Sequence, residues 1–118
     1  MAHESIGAYS FLIGVIIAVI AGIAGSAIAV YAGAIGLILV ILGLIVGFLN
    51  ITDKETMPFL VAAVALMVAG SANLMIINTV IPMLGTVLQA ILANIVVFIA
   101  PAAIIVGLKA IIAMAKNK

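Results

Sequence analysis

Few side chains in this sequence could do chemistry, and most of them stand at the ends of apolar segments. His3 and Glu4 lie together near the N-terminus, and Asp53, Lys54 and Glu55 form an internal cluster of charges. The first pair offers too few ligands for a zinc site, which takes three or four protein ligands. The second cluster is typical of a solvated loop with acids at a helix N-terminus. No set of acid, base and nucleophile in one pocket is predicted, so we expect no enzyme, cofactor or metal.

The composition excludes other classes of site and partner. The sequence has no Cys and one His, which excludes disulfides, thiolate nucleophiles and Cys-ligated metals. The formal net charge of +1 is far too small for electrostatic binding to nucleic acid. Hydrophobic residues make up 69% and charged residues 6%, against about 45–50% and about 25% in soluble domains. The composition therefore predicts an integral membrane protein.

Six polar side chains fall within the apolar stretches, and two interpretations of them stay open. The six are Ser10, Ser71, Asn73, Thr86, Gln89 and Asn94. Asn73, Gln89 and Asn94 could form a polar path that contacts a neutral solute, an ion or water. They could instead form ordinary hydrogen bonds between packed helices, worth about 0.6 kcal/mol per pair in membrane proteins. No ionisable residue lies deep in an apolar stretch, which argues against a proton-coupled carrier.

The apolar stretches predict an all-α polytopic membrane protein with four transmembrane helices, arranged as two tightly packed hairpins. A span needs about 20 apolar residues, and the uncharged stretch from Ile6 to Leu49 must therefore fold back, best at Gly25-Ser26. The predicted spans are about 5–24, 27–49, 56–77 and 83–108, with a polar loop at 50–56 and a tail at 109–118. Residues 1–118 are expected to form a single transmembrane domain.

The charged residues indicate an orientation. With four spans, all four Lys and all three acids fall on the same side as both termini, and the opposite turns carry no charge. The positive-inside rule then places the charged side in the cytoplasm. We expect a plasma-membrane protein with both termini cytoplasmic, in which Lys109, Lys116 and Lys118 can contact anionic lipid.

Small residues recur on one face of each predicted helix, as they do where membrane helices pack closely. The predicted packing positions are Gly14, Ala18, Gly25, Ala29, Gly33, Gly36, Gly43, Gly47, Ala62 and Ala69. Gly43 and Gly47 form a GxxxG pair, so we expect the second helix to pack closely, chiefly against the first. Replacing Gly36 or Gly43 with Leu is expected to disrupt folding or assembly.

The stretch from Leu42 to Glu55, continuing through Phe59 to Ala62, resembles a family of small uncharacterised archaeal four-span membrane proteins. The polar hinge between two hydrophobic hairpins carries this resemblance. The resemblance implies an archaeal plasma membrane, and it implies no established activity and no functional residues.

These features predict a small structural or assembly subunit that acts through helix packing. Its expected partners are membrane lipids and either further copies of the chain or other membrane subunits, with no nucleic acid. The alternative is an oligomeric pore or carrier for a neutral or apolar solute, lined by the polar path. Holin-like permeabilisation of the membrane is a third option.

Overall fold

A computed structural model describes the backbone of residues 2–117 and the side chains of residues 7–52 and 54–117. Four α-helices make up most of the chain: α1 (Ala2–Ala24), α2 (Ala32–Leu49), α3 (Thr56–Gly70) and α4 (Leu84–Lys116). Three 3₁₀ segments connect them, at Gly25–Tyr31, Asp53–Glu55 and Leu74–Thr79. The described residues contain no β-strand, which confirms the predicted all-α class.

Two helical stretches are long and apolar enough to cross a membrane, Gly7–Leu49 and Leu84–Lys116. The first is broken at Gly25–Tyr31 and folds back on itself. Its two ends meet, as a Cβ built on Gly7 would lie 2.8 Å from the Cβ of Asn50. Gly25 has φ +50°, a left-handed conformation that glycine adopts without the strain of a Cβ. The predicted reversal at this glycine is therefore present.

The reversal is longer than the expected two-residue turn, so the predicted start of the second helix at residue 27 is wrong. Gly25–Tyr31 forms a 3₁₀ segment in which Ile28 leaves helical geometry (φ −119°, ψ 17°). The α-helical hydrogen bonding of α2 begins at Ala32. The connection between α1 and α2 is therefore seven residues long.

The third helix also ends earlier than predicted, at Gly70 rather than residue 77. Gly weakens helices, and the hydroxyl of Ser71 donates to the carbonyl of Val68 at 2.6 Å, within the last turn. Asn73 then adopts φ −90° and ψ 81°, and the chain continues as the 3₁₀ segment Leu74–Thr79. Thr56–Gly70 is thus a shorter apolar helix of 15 residues.

The fourth helix, in contrast, continues through the expected tail. α4 spans 33 residues, passes through Pro101 and ends at Lys116, so residues 109–116 are helical. The segment after Lys109 is rich in Ala, Ile and Met, and helix-breaking Gly and Pro are absent from it. At 1.5 Å per residue, α4 is about 50 Å long.

α4 is the central helix, and it contacts α1, α2 and α3. Phe98 of α4 is fully buried, and its ring meets Phe11 edge-on with the ring centroids 6.0 Å apart. The side chains packed into the same core come from all four helices; its buried members besides Phe98 are Ala18, Leu39, Val46, Ala63, Ile99 and Ala102. The helices therefore form one bundle around α4.

Candidate functional site: packing positions and polar side chains

Three of the predicted glycines lie where a neighbouring helix leaves no room for a side chain. A Cβ at Gly14 would overlap the Phe98 ring, and one at Gly43 would overlap the backbone carbonyl oxygen of Phe98. A Cβ at Gly47 would lie 2.8 Å from the Cβ of Ile105. Ala18, another predicted packing residue, is fully buried. The closest approach of α2 is therefore to α4, whereas the sequence indicated α1 as its main partner.

The remaining predicted packing positions lie in open space or at the surface of the bundle. No atom lies within 4 Å of a Cβ built on Gly25, Gly33 or Gly36. Ala29, Ala62 and Ala69 are exposed. Within one chain, the expected packing stripe from Ala29 to Gly47 is used only in its second half. The reason is that α2 closes on α4 around Gly43 and Gly47, while a cavity separates the helices at the other end.

Sequence reasoning missed two further close contacts. A Cβ at Gly22 would lie 2.6 Å from the Cα of Ile91, and a Cβ at Gly85 would overlap the carbonyl oxygen of Leu74. Gly22 follows the predicted packing residue Ala18 by four residues, a spacing that places the two on one helix face. That spacing could have identified Gly22, whereas Gly85 lies in no small-residue stripe.

Gln89 links the end of α3 to α4. Its side-chain nitrogen donates to the carbonyl of Gly70 at 3.2 Å, and its oxygen accepts the backbone N–H of Leu74 at 3.1 Å. The first bond satisfies a carbonyl that α3 leaves unpaired where it ends. The second shares the Leu74 N–H with the carbonyl of Ala72. Gln89 therefore stabilises the break between α3 and the following 3₁₀ segment.

Asn78 caps the N-terminus of α4 from outside that helix. Its side-chain oxygen accepts the backbone N–H groups of Gly85 at 2.8 Å and Thr86 at 3.2 Å, and its nitrogen donates to the Thr86 hydroxyl at 2.9 Å. An N-cap residue normally stands directly before the first turn that it caps. Asn78 precedes this turn by several residues, so its position in the sequence does not identify it as a cap.

The predicted polar path does not form within one chain. Asn73 is exposed, and Gln89 faces the end of α3. Asn94 donates to the carbonyl of Ala90 at 3.0 Å and lies about 140° around α4 from Gln89 at 100° per residue. Asn94 instead lines a cavity of about 250 Å³, whose other walls are Ala21, Gly25, Ile28, Ala29, Ala32, Ile35 and Ala90. Within one chain the two amides share no face, because they are five positions apart along α4.

The predicted lipid-contacting lysines differ in their surroundings. The ammonium group of Lys109 is half-buried and donates to the carbonyl of Gly47 at 3.1 Å, in the last turn of α2. A cation at a helix C-terminus is favoured by the unpaired carbonyls and by the helix dipole. Lys116 is exposed, and Lys118 lies outside the described residues.

The charged loop has one of the two hydrogen bonds of a capping box. The Glu55 carboxylate accepts the backbone N–H of Thr52 at 2.9 Å and its hydroxyl at 3.1 Å. These bonds, the backbone bond foremost, lower the pKa of the Glu55 carboxyl below its usual value. This pattern is the Thr-x-x-Glu signature of a helix start.

The side chains of His3, Glu4 and Asp53 lie outside the described residues. Within the described part of the chain, no group of three or more His, Asp or Glu could hold a metal ion. Comparison with known protein families, with curated proteins and with solved structures finds no match for this chain.

Proposed function

We propose that the chain is a four-span integral membrane protein that acts as a structural or assembly subunit, in a homo-oligomer or a larger membrane complex. The observation that carries this proposal is the division of the small residues into two sets. One set, with Gly14, Gly43 and Gly47, is used inside the bundle. The other set, with Gly33 and Ala65 among its members, faces outward.

The outward set occupies two helices. Gly33 and Gly36 lie on the first half of α2 with no atom within 4 Å of their Cβ positions. Ala62, Ala65 and Ala69 recur every three or four residues along the exposed face of α3. In lipid, helices associate where small residues let backbones approach closely. Contact with a second chain is the use that these faces favour.

The distribution of apolar and charged groups supports the membrane placement. Val30 and Val80 are 84% and 81% exposed on the surface of the bundle. Exposure of such apolar side chains is unfavourable in water and favourable against lipid acyl chains. The contact of Gly7 with Asn50 and the bond from Lys109 to Gly47 put the N-terminal part, the charged loop and the end of α4 at one end of the bundle.

This arrangement is compatible with four crossings. α3 alone is about 22 Å long at 1.5 Å per residue, and the 3₁₀ segment Leu74–Thr79 lengthens that crossing. Tyr9 and Tyr31 are exposed near the starts of the two antiparallel helices α1 and α2, and thus towards opposite ends of the bundle. Tyr is enriched at both membrane surfaces. We propose the charged end as the cytoplasmic one, in a plasma membrane that the sequence resemblance suggests is archaeal.

Disulfide cross-linking tests the proposed assembly, because the natural sequence has no Cys to give background. Gly36→Cys and Ala65→Cys place single thiols on the two outward small-residue faces. Leu37→Cys and Val64→Cys are matched controls, since both are exposed neighbours that lie about 100° around the same helices. In native membranes the first two variants are expected to give covalent dimers and the controls far fewer. Equal yields from all four variants would contradict these interfaces.

A pore or carrier for a neutral or apolar solute is the second candidate. The observation that favours it is the cavity of about 250 Å³ in which the Asn94 amide is surrounded by apolar side chains. Flux of a small neutral solute into liposomes, compared between the parent and Asn94→Ala, tests this role. Equal flux from both proteins and from empty liposomes would exclude it.

A further inference from the structure

A second cavity lies at the charged end of the bundle, between the start of α3 and the last turns of α4. Its volume is about 330 Å³, and it is lined by Thr56, Lys109, Ala110, Ala113 and Asn117. The two alanines leave space on α4 beside the N-terminus of α3. The cavity thus combines one cation, an amide and a hydroxyl with a short apolar wall.

The cation of this cavity is held in position. Lys109 is half-buried, and its ammonium group donates to the carbonyl of Gly47 at 3.1 Å. An ammonium group has three N–H donors, so two remain for a ligand. A fixed cation loses less side-chain entropy on binding than a mobile surface lysine does.

The neighbouring groups also favour an anion. α3 begins at Thr56, so the positive end of its dipole lies beside the cavity. The carboxylate of Glu55, in the adjoining loop, is turned to the backbone N–H and the hydroxyl of Thr52. Glu55 is not among the lining residues, and Lys109 is the one charged side chain among them.

We propose that this cavity binds the headgroup phosphate of an anionic phospholipid, with the acyl chains along the outer surface of α4. The proposal rests on the membrane placement given above. Ile104 and Leu108 are 62% and 52% exposed on the membrane side of Lys109 and provide an apolar surface for the chains. Basic pockets between membrane helices on the cytoplasmic side are suited to anionic headgroups. The apolar surface favours a lipid over free phosphate.

Native mass spectrometry of the detergent-solubilised protein tests the proposal. The protein is titrated with phosphatidylglycerol and with phosphatidylcholine of the same acyl chains. We expect the anionic lipid to bind about fivefold more tightly, the factor that corresponds to about 1 kcal/mol per Lys near an anionic surface. Inorganic phosphate at the same concentration is expected not to displace it, and displacement would overturn the choice of a lipid.

Variants of single charges locate the site. Lys109→Gln is expected to remove the preference for the anionic lipid and Lys109→Arg to retain it. Lys54→Gln and Lys116→Gln each remove one exposed positive charge outside the cavity lining, so the preference should persist. An equal loss in all three Gln variants would show diffuse attraction and overturn the site.

A second variant keeps the test valid if Lys109→Gln, which also loses the bond to Gly47, fails to fold. Ala113→Leu fills the cavity and leaves every charge in place, and it is expected to reduce the fivefold preference to near unity. An unchanged preference in Ala113→Leu would overturn the proposal. The two proposals fail separately, because a monomer that still prefers phosphatidylglycerol contradicts only the assembly, and an oligomer without the preference contradicts only the lipid site.

Discussion

A matched pair of glycine substitutions on α2 distinguishes packed from unpacked small residues. Gly43→Ala adds a methyl group that would overlap the carbonyl oxygen of Phe98 and lie 3.4 Å from the Cβ of Pro101. Gly36→Ala adds the same methyl group where no atom lies within 4 Å. Both positions are in the same helix, seven residues apart on nearly the same face. The two variants therefore differ chiefly in what the new methyl group contacts.

The expected effects have opposite signs. Overpacking costs about 1–3 kcal/mol, and at Gly43 the obstacle is a backbone atom of Phe98 that cannot rotate away. Exchanging Gly for Ala inside a helix stabilises it by about 0.5–1 kcal/mol. Gly43→Ala should thus lose about 1–2 kcal/mol of unfolding free energy, while Gly36→Ala should gain up to about 1 kcal/mol.

Reversible unfolding in mixed micelles, followed by circular dichroism, measures both free energies. The protein concentration is kept low enough for the chain to be monomeric, so that contacts between copies do not contribute. If Gly36→Ala loses as much stability as Gly43→Ala, the assignment of Gly36 to an unpacked face is wrong. If Gly43→Ala is as stable as the parent, the close contact between α2 and α4 is wrong.

Three further predictions concern the connections between helices. Asn78→Ala should lower the unfolding free energy by about 1–2 kcal/mol, because two backbone N–H groups of α4 lose their acceptor. Asn73→Ala removes no cap, so it should leave the unfolding free energy nearly unchanged in the same micelle assay. Met83 has φ 72° and is exposed, so Met83→Gly should raise the thermal midpoint by relieving left-handed strain, and a lower midpoint would contradict that strain. The bonds from Thr52 lower the pKa of Glu55 below its ordinary 4.5. The stabilisation that they provide is therefore fully present above that value and is lost as pH falls through the lowered pKa. This acid-dependent loss of stability should be absent in Glu55→Gln, and identical stability–pH profiles for the parent and the variant would refute the capping role.

The helical class, the reversal at Gly25 and the charged loop could be predicted from the sequence. Each depends on local properties: the length of an apolar run, the conformational freedom of glycine, and a cluster of charges with acids at a helix N-terminus. The end of α3 was predicted too late, because Gln89, fifteen and nineteen residues away from its two backbone partners, stabilises the break. Such a partner is visible only once α3 and α4 are placed side by side.

The packing positions show a second limit of periodicity. A helical repeat identifies which residues share a face, and Gly36 and Gly43 do share one. The distance between helices changes along their length, so only Gly43 touches the neighbouring backbone. Likewise, the sequence placed Lys109 on the charged side of the membrane, but it could not predict the bond of Lys109 to Gly47, which joins residues 62 positions apart. Contacts of this kind depend on tertiary arrangement.

The mass of the protein extracted from membranes in mild detergent tests the central claim most directly. The chain weighs 11.9 kDa, and native mass spectrometry can count its copies and identify any chains that co-purify. The proposed role predicts a discrete species with more than one chain, which Gly36→Leu converts to monomer while the helical circular dichroism persists. A parent protein that is a single copy at every concentration, with no other chain bound, would contradict the proposed role.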